Sequence, residues 1–106
     1  MSTNNIAVVT GAGSGIGKAI TLAFAEQGTT VVAADLDLDA AKRTAEQNSA
    51  IVPMAVDVAD RTAVDALRDA VTAEVGVPDI LVNAAGWDRT DQFLNACLLY
   101  TSPSPR

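Results

Sequence analysis

One glycine-rich stretch constrains the fold of this chain more than any other feature. Residues 10–17 read Thr-Gly-Ala-Gly-Ser-Gly-Ile-Gly and follow the apolar segment Ile-Ala-Val-Val at 6–9. Glycines there let the backbone turn sharply after a strand, and a helix that opens near Gly17 would direct its free N–H groups at an anion. The pattern Gly-x-x-x-Gly-x-Gly, formed by Gly11, Gly15 and Gly17, therefore predicts a turn that cradles a dinucleotide pyrophosphate. A flexible Gly/Ser turn is the alternative.

The rival phosphate-binding motif is the P-loop, which Gly17 and Lys18 superficially suggest. In that motif the first glycine would fall on Ala12 and the magnesium-binding Ser or Thr on Ala19. Both positions carry the wrong residue, so the sequence argues against hydrolysis of ATP or GTP.

Composition narrows the class of protein. The chain has 106 residues, 49% of them hydrophobic and 19% charged, which suits a packed core. A net charge of −6 without basic clusters disfavours nucleic acid and anionic membranes as partners. The single cysteine, Cys97, has no partner for an internal disulfide, and we see no leader or long apolar span, so we expect a cytoplasmic protein. We predict no metal site.

Apolar runs rich in β-branched residues alternate with segments of helical period, in the order β-α-β-α-β-α-β. We predict strands at 6–10, 30–34, 51–56 and 80–83. The helices should run from about 17 to 27, from a cap at Asp39 to about 48, and from a cap at Asp60 to about 75. The core faces of the first and third helices should carry Ile20, Ala23 and Phe24, and Val64, Leu67, Val71 and Val75, respectively.

This alternation predicts the α/β class, with a Rossmann-type doubly wound parallel sheet. Right-handed crossovers give the strand order 3-2-1-4, and Pro53 suits an outermost third strand because proline cannot donate to a central ladder. The ligand crevice should lie above the carboxyl ends of strands one and four, where the winding direction reverses.

Polar residues follow several of these strands. Asp35 comes 18 positions after Gly17, near the interval expected of a carboxylate that accepts both ribose hydroxyls of the adenosine half. Such a carboxylate repels a 2′-phosphate, and Ser14 offers no cation to neutralise one, so we predict NAD rather than NADP. A solvated loop residue is the alternative for Asp35.

The later strand ends carry a second set of candidates. Asp57 can hydrogen-bond the adenine edge while Val58 packs on the ring, although Asp57 can equally help to start the next helix. Asn83 can tie neighbouring loops through its amide. Three small residues follow and would let a cofactor lie against the chain: Ala84, Ala85 and Gly86.

These motifs resemble the cofactor half of the short-chain dehydrogenase/reductase family over residues 5 to about 94, with Ala84 where the family usually has a second asparagine. The resemblance implies hydride transfer between NAD(H) and an alcohol or ketone, by a parent enzyme that is a homodimer or homotetramer. The segment 86–88 also resembles members that act on 3-hydroxyacyl or 3-oxoacyl substrates. The implied cofactor-binding residues are Gly11, Ser14, Gly15, Ile16, Gly17, Asp35, Leu36, Asp57, Val58, Asn83, Ala84, Ala85 and Gly86.

The family catalyses with Tyr-x-x-x-Lys, whereas Tyr100 is the sole tyrosine here and is followed four positions later by Ser104. We therefore assign no catalytic residue and expect the chain to be an inactive fragment of a dehydrogenase. The small-molecule substrate of the parent enzyme would mostly contact the catalytic half, which follows the fourth strand in this family. Residues 1–94 would form a partial NAD-binding domain, truncated after the fourth strand. Residues 95–106, with two prolines and no helical period, would form a non-native or disordered tail. The alternative is a non-catalytic nucleotide-binding or sensor module.

Overall fold

A computed structural model describes residues 5–84, which form four strands and three helices in strict alternation. The strands are β1 (Ile6–Thr10), β2 (Thr30–Asp35), β3 (Ile51–Ala55) and β4 (Ile80–Asn83). The helices are α1 (Gly15–Glu26), α2 (Leu38–Ala45) and α3 (Arg61–Glu74).

The four strands form one parallel sheet in the order β3-β2-β1-β4, which confirms the predicted topology. In the centre of the register, Val8 of β1 lies between Val32 of β2 and Leu81 of β4. Pro53 lies in β3, at one edge of the sheet, where its lack of an N–H leaves no central ladder incomplete. All four carboxyl ends consequently meet at the same rim.

Helices cover both faces of the sheet because strand side chains alternate between them. One face packs on α3, through a cluster formed by Val8, Val32, Ala34, Val56, Val58, Val64, Leu67 and Val71. The other packs on α1 and α2, through Ala7, Val9, Ala12, Ala25, Val31, Ala33, Ala41 and Ile51. The alanines let both helices approach the strands closely.

The first helix differs from its predicted face and start. It begins at Gly15, two residues early, and its buried line is Gly17, Thr21 and Ala25. Ile20 and Phe24 are half-buried against the core, as expected, but Ala23 faces solvent. Apolar spacing alone did not identify the small residues that lie closest to the sheet.

The second helix has a different cap from the predicted one. Asp37 is the N-cap residue, and its Oδ1 accepts hydrogen bonds from the backbone N–H groups of Asp39 and Ala40 at 3.0 and 3.3 Å. The helix ends at Ala45 rather than near residue 48. The cap of α3 is Asp60, as predicted, with bonds from the N–H groups of Thr62 and Ala63.

Candidate functional site

A groove of about 480 Å³ opens at the carboxyl ends of the strands. It is bounded by the turn between β1 and α1, by the ends of β2 and β4, and by the segment after β3. Its lining consists of Gly11, Ser14, Gly15, Ile16, Gly17, Asp35, Leu36, Val56, Asp57, Val58 and Ala84. All of these except Val56 belong to the set predicted from the sequence.

The turn at the floor of the groove needs its glycines for two different reasons. Gly11 and Gly15 have φ values of 72° and 58°, in the left-handed region that side chains with a Cβ disfavour. Gly17 is required by close approach, because a Cβ there would overlap the carbonyl group of Gly11. The three glycines of the pattern therefore meet two distinct steric requirements, a positive φ at Gly11 and Gly15 and a close backbone approach at Gly17.

The start of α1 presents its backbone to the groove. The first helical hydrogen bond runs from the N–H of Lys18 to the carbonyl oxygen of Ser14 at 3.2 Å. The N–H groups of Gly15, Ile16 and Gly17 thus have no acceptor within the helix, and all three residues line the groove. Ser14 is the N-cap residue, yet its side chain makes no capping bond. Backbone donors and the helix dipole together suit an anionic ligand.

Both oxygens of the Asp35 carboxylate are held by backbone groups. Oδ2 accepts the N–H of Gly13 and Oδ1 accepts the N–H of Asp37, each at 2.9 Å. An ionised carboxylate offers about four acceptor positions, so each oxygen can still take one hydroxyl from a ligand in the groove. Among the described residues that line the groove, the charged ones are Asp35 and Asp57, both acidic.

The side of the turn away from the groove is anchored to the sheet and to α2. Ala12 donates its N–H to the carbonyl oxygen of Ala34 at 3.1 Å and accepts the hydroxyl of Thr44 at 3.0 Å. Gly13 is packed so closely that an added Cβ would lie 2.5 Å from the Cβ of Ala40. Sequence reasoning missed Gly13 and Thr44. The one available signal was a glycine that the Gly-x-x-x-Gly-x-Gly pattern does not require.

The far end of the groove combines a carboxylate with apolar side chains. Asp57 is exposed, and its Oδ1 accepts the N–H of Ala59 at 2.9 Å, which stabilises the turn before α3. Val58 is buried beside it. Ile16 and Leu36 are 75% and 74% exposed at the rim, although both are large and apolar. This end can hold a flat, partly apolar group with a polar edge.

Asn83 lies outside the groove lining. Its Oδ1 accepts the hydroxyl of Thr10 at 2.7 Å, and the N–H of Ala84 reaches the Thr10 carbonyl oxygen at 3.2 Å, so β4 is tied to the end of β1. Ala84 lines the groove, whereas Ala85 and Gly86 lie outside the described residues. The predicted tail at 95–106 lies outside them as well.

Metal-holding clusters and membrane-crossing helices are both absent from residues 5–84. Within that range no group of three or more His, Cys, Asp or Glu side chains is placed to hold a metal ion. The helices of the same range are too short or too polar to cross a bilayer.

The alternating elements and the parallel sheet define a Rossmann-like α/β fold, together with the turn at residues 11–17, here called the glycine turn, at the carboxyl rim of the sheet. The chain belongs to the short-chain dehydrogenase family, whose model matches residues 5–98. Members of this family are oxidoreductases that bind a nicotinamide cofactor.

Two named relatives and one solved structure are similar to this chain over most of its length. The probable oxidoreductase EphD of Mycobacterium tuberculosis is 46% identical over 91 residues, which are 82% of this chain and 15% of that protein. D-threitol dehydrogenase of Mycolicibacterium smegmatis is 48% identical over 85 residues, 76% of this chain and 33% of that enzyme. A short-chain dehydrogenase/reductase from Burkholderia phymatum, solved in complex with NAD, aligns with a TM-score of 0.81 at 28% identity, covering 94% of this chain and 43% of that one. The chain thus spans about a third or less of the length of EphD and of D-threitol dehydrogenase.

Proposed function

We propose that this chain is the N-terminal, NAD-binding portion of a short-chain oxidoreductase that moves hydride between NAD(H) and an alcohol or ketone. The observation that carries the proposal is the position of Asp35, on the groove and with both oxygens already oriented by backbone N–H groups. A carboxylate held in this way accepts the two ribose hydroxyls without first paying for its own ordering.

The rest of the groove supplies partners for the other parts of an adenosine diphosphate. The pyrophosphate would lie against the glycine turn and the first N–H groups of α1. The adenine ring would pack on Val58 and Leu36, with Asp57 at its amino edge. The ligand in the Burkholderia structure is NAD, which supports the same ligand class here.

Selection of NAD over NADP follows from charge. A 2′-phosphate would bring up to two negative charges to the position where Asp35 already has one, and the lining formed by residues 5–84 carries no Lys or Arg. Leu36 and Ser14 take the adjacent positions and cannot neutralise the phosphate. We expect NAD-type ligands to bind at least about tenfold more tightly, which corresponds to about 1.4 kcal/mol.

Hydride transfer itself needs groups that these 106 residues do not contain. Lys18 and Lys42 are the only lysines and both precede Tyr100, so no Tyr-x-x-x-Lys pair is present to exchange a proton with the substrate. We therefore infer that the chain binds the cofactor and does not turn it over. An alcohol or ketone as the substrate of the whole enzyme is consistent with the D-threitol dehydrogenase relative.

Calorimetric titration with ADP-ribose and with its 2′-phosphorylated form tests this proposal. The expected result is weak binding of ADP-ribose and weaker binding of the 2′-phosphate by about tenfold or more. Equal affinity for both ligands would contradict the NAD assignment, and no binding of either would contradict the cofactor site. Oxidation of NADH by the purified chain with a ketone, above background, would contradict the inference that it is inactive.

A further inference from the structure

The glycine turn has two sides with different tasks. Gly11, Ser14 and Gly15 line the groove, whereas Ala12 and Gly13 are absent from the lining. On the other side, Ala12 is hydrogen-bonded to Ala34 and Thr44, and Gly13 packs against Ala40. Ala12 is fully buried. Any device that fixes the rear side therefore sets where the groove side presents its N–H groups.

Thr44, on α2, holds the rear side in this way, although it lies 32 residues after Ala12 in the sequence. Its side chain is fully buried, and its hydroxyl lies 3.0 Å from the carbonyl oxygen of Ala12 and 3.3 Å from that of Ala40. The shorter contact leaves its own helix and joins the turn. We propose that Thr44 is a positioning residue for the phosphate-binding turn, a role that rests on the nucleotide site proposed above.

The physical reason lies in the buried acceptor. The Ala40 carbonyl is also the i−4 acceptor for the backbone N–H of Thr44 in the helix, so it does not depend on the hydroxyl. The Ala12 carbonyl belongs to the irregular turn and is shielded from water. Without the hydroxyl, Ala12 would reorient toward another donor, and the neighbouring groove residues would move with it.

Substitutions at Thr44 separate the hydroxyl from the shape of the side chain. Thr44→Val is nearly isosteric and removes the donor, whereas Thr44→Ser keeps the donor and removes the methyl group. Thr44→Ala and Thr44→Ser form a second matched pair, which differ only in the hydroxyl and serve if the valine variant does not fold. Thr72→Val is the control, because Thr72 also bonds the carbonyl four residues earlier, on α3 and away from the turn.

The probes are ADP, which carries the pyrophosphate, and adenosine, which does not, both followed by ligand-observed NMR on the full chain at a known folded fraction. We expect Thr44→Val to weaken ADP about tenfold and adenosine less than about twofold. Thr44→Ser and Thr72→Val should retain the wild-type affinity for both. A loss of thermal stability alone would lower the apparent affinity for both probes equally.

Two results would overturn the role of Thr44 alone: wild-type binding of ADP with no difference between the valine and serine variants, or equal losses for ADP and adenosine. Failure of the wild-type chain to bind ADP would instead overturn the proposed nucleotide site, and this inference with it. The two failures are therefore distinguishable.

Discussion

The carboxylate of Asp35 accepts a hydrogen bond at 2.9 Å from the backbone N–H of Gly13, although 22 residues separate the two in sequence. This contact makes the proposed ribose-binding carboxylate part of the glycine turn before any ligand arrives. The same side chain also receives the N–H of Asp37, at the start of α2. Ligand selection and the shape of the turn consequently depend on one residue.

Asp35→Asn should weaken ADP-ribose binding and reduce discrimination against the 2′-phosphate. The amide replaces a charged acceptor with a neutral one and turns one oxygen into a donor group. Because hydrogen bonds to charged groups are worth about 1.5–3 kcal/mol, we expect a loss of at least about tenfold. Calorimetry with both ligands measures it.

The matched control for this change is Asp39→Asn, which alters the net charge equally at an exposed position on α2 outside the groove lining. It should leave both affinities within about twofold of wild type, since exposed charges interact weakly through water. Equal losses in the two variants would mean that overall charge, rather than the Asp35 carboxylate, governs binding.

Gly17→Ala should remove ADP binding and lower the free energy of unfolding by about 2–3 kcal/mol, because its Cβ would overlap the carbonyl of Gly11 and force the turn open. Gly28→Ala is the comparison. It has a φ of 91° but open space around an added Cβ, so it should cost about 1–2 kcal/mol and leave binding of the folded molecules unchanged. Urea denaturation and ADP titration distinguish the two, and retained binding in Gly17→Ala would refute the steric explanation.

Much of the fold could be predicted from the sequence because local signals were consistent with one another. The bounds of β1 and β4, the strand order and the cap at Asp60 follow from apolar runs, crossover handedness and a well-placed aspartate. The fourth strand is half-buried, since it forms an edge of the sheet among the described residues.

What the sequence could not provide depends on three-dimensional contacts. Asp35, Asp37 and Asp39 alternate with leucines, and nothing local distinguishes the aspartate that caps α2 from its neighbours. In the sequence Thr44 looks like an ordinary helix residue, and only the fold shows that its hydroxyl bonds the Ala12 carbonyl of the glycine turn. Gly13 is not one of the glycines with a positive φ. Its need for a small side chain therefore arises from the close approach of Ala40.

That approach predicts a compensating pair. Gly13→Ala should destabilise the chain by about 1–3 kcal/mol and weaken ADP-ribose binding, because the new Cβ would lie 2.5 Å from the Cβ of Ala40 and 2.9 Å from Oδ2 of Asp35. Ala40→Gly alone should cost about 1 kcal/mol of helix stability. The double variant should recover at least about 0.5 kcal/mol relative to the sum of the single changes. Strict additivity in a double-mutant cycle would show that the two residues do not compete for space.

The two helix caps offer a final separation of stability from binding. Asp37→Ala and Asp60→Ala each remove a side chain that accepts two backbone N–H groups, so each should lower the free energy of unfolding by about 1 kcal/mol. Of the two capped helices, α2 is the one placed against the glycine turn, through Ala40 and Thr44. ADP affinity, corrected for the folded fraction measured by circular dichroism, should therefore fall in Asp37→Ala and stay at the wild-type value in Asp60→Ala. Equal affinities in the two variants would show that disorder in the first turn of α2 does not affect ADP binding at the nucleotide site.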